Sequence, residues 1–280
     1  MTTRDPTEQF GSTPAAAVIA ACLQTQSSVP TRSGVSRLFG RSPLSDDSRP
    51  WYLGALGELQ VAQQLAKLGA GWTVLHSVPI GERGSDIDHV VIGTAGVFTI
   101  NTKFHEDARI CVGSKRLLVS GQKTDHLRNS RFEAQRVTRA LTAITGLPID
   151  TRPVIVLVGI RSITIRERPA DVAVLRDTEL VRWLNRCPTT LDADVRERLT
   201  IALGQRDHWA APSVQAPEVD IQAFAALRHE VDSASCACAV GDDHNGRLRG
   251  SRRHARGQRL LIAPPRIVST EVGSPEASRQ

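Results

Sequence analysis

No apolar run in this sequence approaches the roughly 20 residues that a helix needs to cross a bilayer, which excludes a transmembrane-helix protein. Glycine (21 of 280 residues) and proline (15) are too few for a low-complexity or collagen-like chain. The five cysteines, Cys22, Cys111, Cys187, Cys236 and Cys238, are odd in number and widely scattered. A disulfide framework is therefore not expected, and the composition points to a reducing, cytoplasmic setting. Negative charge is also short, which leaves a net +6. Much of that excess sits at one end, because residues 233–280 hold eight arginines against four acids. The high isoelectric point thus says little about the part that folds.

What is present divides the chain into three. Residues 1–50 mix short apolar patches with Ser, Thr, Pro and Arg and read as a largely disordered extension, with a short helix around 15–23. The folded region is expected over 51–210. Residues 211–280 read as a linker, a short helix over 218–231 and a disordered basic tail.

Within 51–210, Ala55, Leu59, Ala62, Leu65 and Leu68 form one helical stripe over 54–68, which Gly69 ends. Strands are expected over 72–78, 86–92 and 97–103. Residues 93–96, with glycine at both ends, form the hairpin loop between the last two. A second hairpin is expected from 108–112 and 117–120. A helix over 125–145 follows, capped by Thr124 and closed by Gly146 and Pro148. Residues 153–160 are apolar on both faces and read as a strand buried mid-sheet. A strand over 172–175 and helices over 178–186 and 192–203 complete the region.

The chemistry lies in the first hairpin. If residues 93–96 are its loop, Ile92 faces Val97 and Asp88 falls opposite Asn101. Directly opposed residues share a face, with Cβ atoms about 5 Å apart. Asn101 and Lys103 alternate onto that face, so a carboxylate, an amide and an ammonium group converge at one end of the hairpin. Asp86 lies two residues further out, and as a common turn residue it reads as a solvated neighbour. His89 points to the opposite face, as a packed core histidine. Glu58 shares a helical stripe with Ala55, Ala62 and Leu65 and should point at the sheet. Such an inward carboxylate needs a cation, a metal or strong donors.

Residues 108–140 carry eight cations against only Asp125 and Glu133. On the helix, Arg128, Arg131, Gln135 and Arg139 gather opposite the apolar residues, and Lys123 lies just upstream. This is a surface for a phosphate backbone. No aromatic ladder accompanies it, which disfavours base stacking on single strands.

Taken in order, Gly57-Glu58, Ile87-Asp88-His89, Gly96-Val97-Phe98 and Thr102-Lys103 resemble the NERD (nuclease-related domain) family, over about residues 51–210. The family in turn resembles the restriction-endonuclease-like, PD-(D/E)xK superfamily. The resemblance implies an α/β fold: a restriction-endonuclease-like core with a mixed central β-sheet flanked by α-helices. It implies Asp88, Asn101, the Thr102 carbonyl and Glu58 around Mg²⁺ or Mn²⁺, with Lys103 orienting the attacking water. It also implies Gln135 as an auxiliary glutamine on a polar helix stretch, 129–135. The expected function is metal-dependent hydrolysis of DNA phosphodiester bonds. One departure stands out: Asn101 occupies the place of the expected acid. An amide oxygen can ligate Mg²⁺ but removes one negative charge from a site for a hard dication. A non-catalytic nucleic-acid-binding module on the same scaffold is therefore the alternative, and a protein-interaction domain a third.

Overall fold

Residues 86–104, buried on both faces along most of their length, form the hairpin around which the rest assembles. In the computed structural model, residues 11–28, 42–80, 86–205, 209 and 219–243 are described. The chain divides into a compact unit, Met1–Cys238, and a second, Ala239–Gln280, of which only the end of one helix lies among the described residues.

The elements run α1 (Ala16–Ser27), α2 (Arg49–Leu65), β1 (Thr73–Pro79), β2 (Asp86–Gly93), β3 (Gly96–Phe104), β4 (Arg109–Val112), β5 (Leu117–Val119) and β6 (Gln122–Thr124). Then come α3 (His126–Thr145), β7 (Thr151–Val158), β8 (Ser162–Ile165) and β9 (Ala173–Arg176). A 3₁₀ turn, Asp177–Glu179, leads into α4 (Leu180–Arg186), followed by α5 (Ala193–Leu203) and α6 (Ile221–Asp243). No helix among the described residues is long and apolar enough to cross a membrane.

The main sheet has the order β1-β2-β3-β7-β9. Its first three strands are antiparallel, while β3, β7 and β9 are parallel. A crossover containing α3 joins β3 to β7, as a parallel pair requires. The intervening β4–β6 meander forms a second sheet with β8. Helices α3 and α5 cover one face, with Val137, Leu141, Leu199 and Leu203 against Val90, Ile92 and Val97. Helices α2 and α4 cover the other, with Val61, Leu65, Leu180 and Leu184 against Phe98, Ile100, Val154 and Val156. The result is a mixed α/β, restriction-endonuclease-like core.

Several expectations need correction. Residues 11–28 and 42–50 are structured: Ala15, Ile19 and Cys22 are buried against Tyr52 and Ala55 of α2 and Phe224 of α6. Their buried stripe is mostly small residues, so its amphipathic contrast is weak in sequence. Helix α2 begins at Arg49, with Pro50 in its first turn, where the missing N–H costs nothing. Helix α3 is preceded by Asp125, not Thr124, and no side chain caps its first amides, although left-handed Gly146 (φ 68°) closes its end as expected. The short strands β6 and β8 and the length of α6 were not anticipated.

One glycine has a packing role. A Cβ on Gly57 would press on Phe104 Cβ at 3.1 Å, so the glycine lets α2 lie close to β3 and carries Glu58 to the strand ends.

Candidate active site

The β2–β3 register pairs Gly93 with Gly96, Ile92 with Val97 and His89 with Ile100. Continued by one step, it sets Asp88 opposite Asn101. Backbone pairing stops there, and the Asp88 side chain replaces it: Oδ2 accepts the Thr102 N–H at 2.6 Å. Asn101 and Lys103 lie on the α3 side of β3, beside Ile155 and Leu157 of β7. Asn101 is 4% exposed. Glu58 arrives from α2, on the other layer, and is 7% exposed.

The residue that sequence reading missed is Glu133. Its Oε2 accepts a hydrogen bond from Asn101 Nδ2 at 2.5 Å. That bond fixes which way the amide points, and Asn101 Oδ1 is left buried with no hydrogen-bond partner, as is Glu58 Oε2. In the sequence Glu133 reads only as one acid within a basic stretch. A usable signal existed, because Glu133, Val137 and Leu141 are spaced by four and share an inward stripe, the same argument that found Glu58.

Four carboxyls therefore crowd one place, and their acidities register it. Burial, and then the Asp88 charge, push Asp86 up to about 6 and Glu133 up to about 7. Burial raises Asp88 itself, against the pull of Lys103 and the Thr102 N–H. Burial, Asp88 and Asp86 drive Glu58 well above the usual carboxylate range, opposed by Lys103. Asp86, read as a solvated neighbour, thus belongs to the cluster electrostatically. Lys103 is the one cation that opposes this rise at all four carboxyls.

Among the described residues no three His, Cys, Asp or Glu side chains are grouped to hold a metal ion. The groups available are nonetheless all oxygen donors, as Mg²⁺ and Mn²⁺ prefer. Two buried oxygens without partners, on Glu58 and Asn101, lie beside a carboxylate cluster short of positive charge. That donor set fits a hard dication if the Asn101 amide and a backbone carbonyl complete it.

Beside Lys103, His105 and His126 face each other with Nε2 atoms 3.2 Å apart and rings stacked. Burial, then the Lys103 charge, lower them to about 4 and about 3, with His105 adding to the effect on His126. The unfolded chain takes up these protons near pH 6.5, whereas the folded chain resists. Their contribution to stability is full above that value and is lost as pH falls toward 4. A His126→Gln variant is expected to lose fewer degrees of melting temperature than the parent between pH 7 and 4.5, as followed by circular dichroism. The site carboxyls, with raised values, act in the opposite sense in both proteins.

His89 is fully buried and shares a 2.8 Å Nδ1–Nδ1 hydrogen bond with His76. The structure does not bring Gln135 to the cluster. It is exposed and, with Arg131, Thr138 and Asp171, lines a separate cleft of about 690 Å³. Arg131 is turned there too, held by two bonds to Asp171 at 2.6 and 2.8 Å. Arg128, Arg139 and Lys123 are exposed, and Arg128 lies 3.2 Å from Asp125.

No curated protein and no solved structure matches the chain. The family model of the nuclease-related domain (NERD) matches residues 53–158, a stretch that runs from α2 to the end of β7. That matched stretch contains Glu58, Asp88, Asn101, Lys103 and Glu133, so the whole carboxylate and lysine cluster lies in the segment similar to the nuclease-related domain family.

Proposed function

We propose that the protein is a metal-dependent nuclease that hydrolyses DNA phosphodiester bonds in the cytoplasm. The observation that carries this reading is the Asn101–Glu133 bond, which leaves an amide oxygen unpartnered beside Asp88 and Lys103 in a nuclease-related segment. Asp88, Glu58, Asn101 Oδ1 and the Thr102 carbonyl would hold Mg²⁺ or Mn²⁺. When bound, such an ion polarises phosphate oxygens and lowers the pKa of coordinated water.

The remaining work falls to this chain's own groups. Lys103 carries a fixed positive charge where negative charge grows on the phosphate, and its ammonium hydrogens orient the attacking water. Glu133 holds the Asn101 amide in its oxygen-inward orientation. Arg128, Arg139 and Lys123 bind the flanking backbone by charge.

Purified protein with supercoiled plasmid is expected to yield nicked or degraded DNA in Mg²⁺ or Mn²⁺ and none in excess chelator. The substitution at Asn101 favours one other reading, a binding module without turnover. DNA binding with no cleavage in either metal would establish that second reading and overturn the first.

A further inference from the structure

Aromatic residues are few, and among the described ones Tyr52, Phe98, Trp209 and Phe224 are buried while Trp51, Trp72, Phe104 and Trp183 are partly buried. Among the described residues Phe132 is the one exposed aromatic, at 56% on α3. Its place on the helix is informative. A helix turns about 100° per residue, so Glu133, which reaches Asn101, fixes the direction of the candidate site. Turning away from it, Asn129 and Arg136 come next, then Phe132, then Arg139 and Arg128. Arg131, paired with Asp171, lies on the far side. The ring therefore stands between the carboxylate cluster and the exposed arginines.

It is also held in place. The Arg136 guanidinium lies 5.8 Å from the Phe132 ring centre, while the same group donates to the Ile80 carbonyl at the end of β1. The neighbouring residue Pro79 pairs with Asp86, a member of the cluster. The ring and the site are thus tied to one strand end.

An exposed ring backed by a cation and flanked by phosphate-binding arginines suits the π-face of a nucleobase. In an intact duplex those faces are stacked on one another and out of reach. We propose that Phe132 is a stacking platform for an unpaired base next to the cleaved bond, making single-stranded nucleic acid a better substrate than intact duplex. This deepens the nuclease reading and rests on it for the meaning of substrate. It also reverses the expectation from composition, since a single fixed ring takes the place of a ladder.

The test is fluorescence anisotropy of the full-length chain, without divalent metal, on three labelled probes of equal length. These are a single-stranded oligonucleotide, the same strand with abasic sites throughout, and a blunt duplex, the first in both DNA and RNA form. Phe132→Ala is expected to weaken single-strand binding about tenfold and to leave the abasic and duplex probes unchanged. Phe132→Trp should restore it, and Phe132→Leu, equally apolar, should not. Equal affinity of the parent for intact and abasic strands would overturn the proposal. So would restoration by leucine, which points to a protein partner for an apolar patch. Base-dependent binding by a chain that cleaves nothing in Mg²⁺ or Mn²⁺ would uphold the stacking role while removing the nuclease reading. Failure to bind any probe would overturn the stacking role, and the nuclease reading would then stand or fall on plasmid cleavage in Mg²⁺ or Mn²⁺.

Discussion

Lys103→Ala is expected to lower the single-turnover rate of DNA cleavage by about 10²–10³-fold, the usual cost of losing one group aimed at transition-state charge. The reason lies in where the ammonium sits. Lys103 opposes the upward pKa shift of all four clustered carboxyls, Glu58, Asp86, Asp88 and Glu133. It is thus the common positive charge of a site otherwise made of acids and an amide. A phosphate entering that site meets repulsion from the carboxylates unless a cation offsets it, and negative charge increases as the bond breaks. Oligonucleotide affinity should change little, because the exposed arginines of α3 supply most of the attraction to the backbone. Lys103→Arg should recover only part of the rate, since a planar guanidinium does not place its hydrogens where a compact ammonium does. Circular dichroism melting of each variant separates a chemical defect from a folding one. An unchanged rate in a folded alanine variant would make Lys103 a structural counter-ion and would remove the catalytic role proposed for it.

The reach of sequence reading here followed the range of the interactions. The β2–β3 hairpin is a local object with a two-residue period and a glycine-bounded loop, so the Ile92–Val97 register could be read directly, and with it the shared face of Asp88, Asn101 and Lys103. Glu58 emerged because its helix has a clear apolar stripe. Glu133 did not, because Arg131 and Arg136 lie within three residues of it, and the count of surface charge obscured its helical spacing. The Arg131–Asp171 pair joins residues 40 apart in sequence, which no local period reports, and it turned one expected phosphate contact toward a different cleft. Strands β6 and β8 are too short to show alternation and exist because β5 and β4 offer them edges. Helix α1 depends on α2 and Phe224 for its burial. In each case a distant partner supplies what local pattern lacks.

That partnership also gives Asn101 its meaning, and Glu133→Gln is expected to weaken Mn²⁺ binding by about 10–100-fold, as loss of a group that orients a ligand typically does. Taken alone, Asn101 looks like a site deprived of one negative charge. In the fold, a carboxylate is bonded to its amide nitrogen, so the charge lies one hydrogen bond away and the amide presents oxygen inward. The charge has moved from the strand to the helix. Two consequences separate this from a simple vacancy. Asn101→Asp alone sets carboxylate against carboxylate, so without metal the variant should melt below the parent, because like charges buried together are costly. Combining Asn101→Asp with Glu133→Gln returns the acid to the strand and places an amide donor on the helix. The double variant should regain metal affinity to at least the parent level, a coupling larger than the sum of the single effects. Titration calorimetry with Mn²⁺ measures all four proteins. If Glu133→Gln binds Mn²⁺ as the parent does, or the double variant binds more weakly than either single one, Glu133 does not orient Asn101 for metal, and the amide is a structural bridge between β3 and α3.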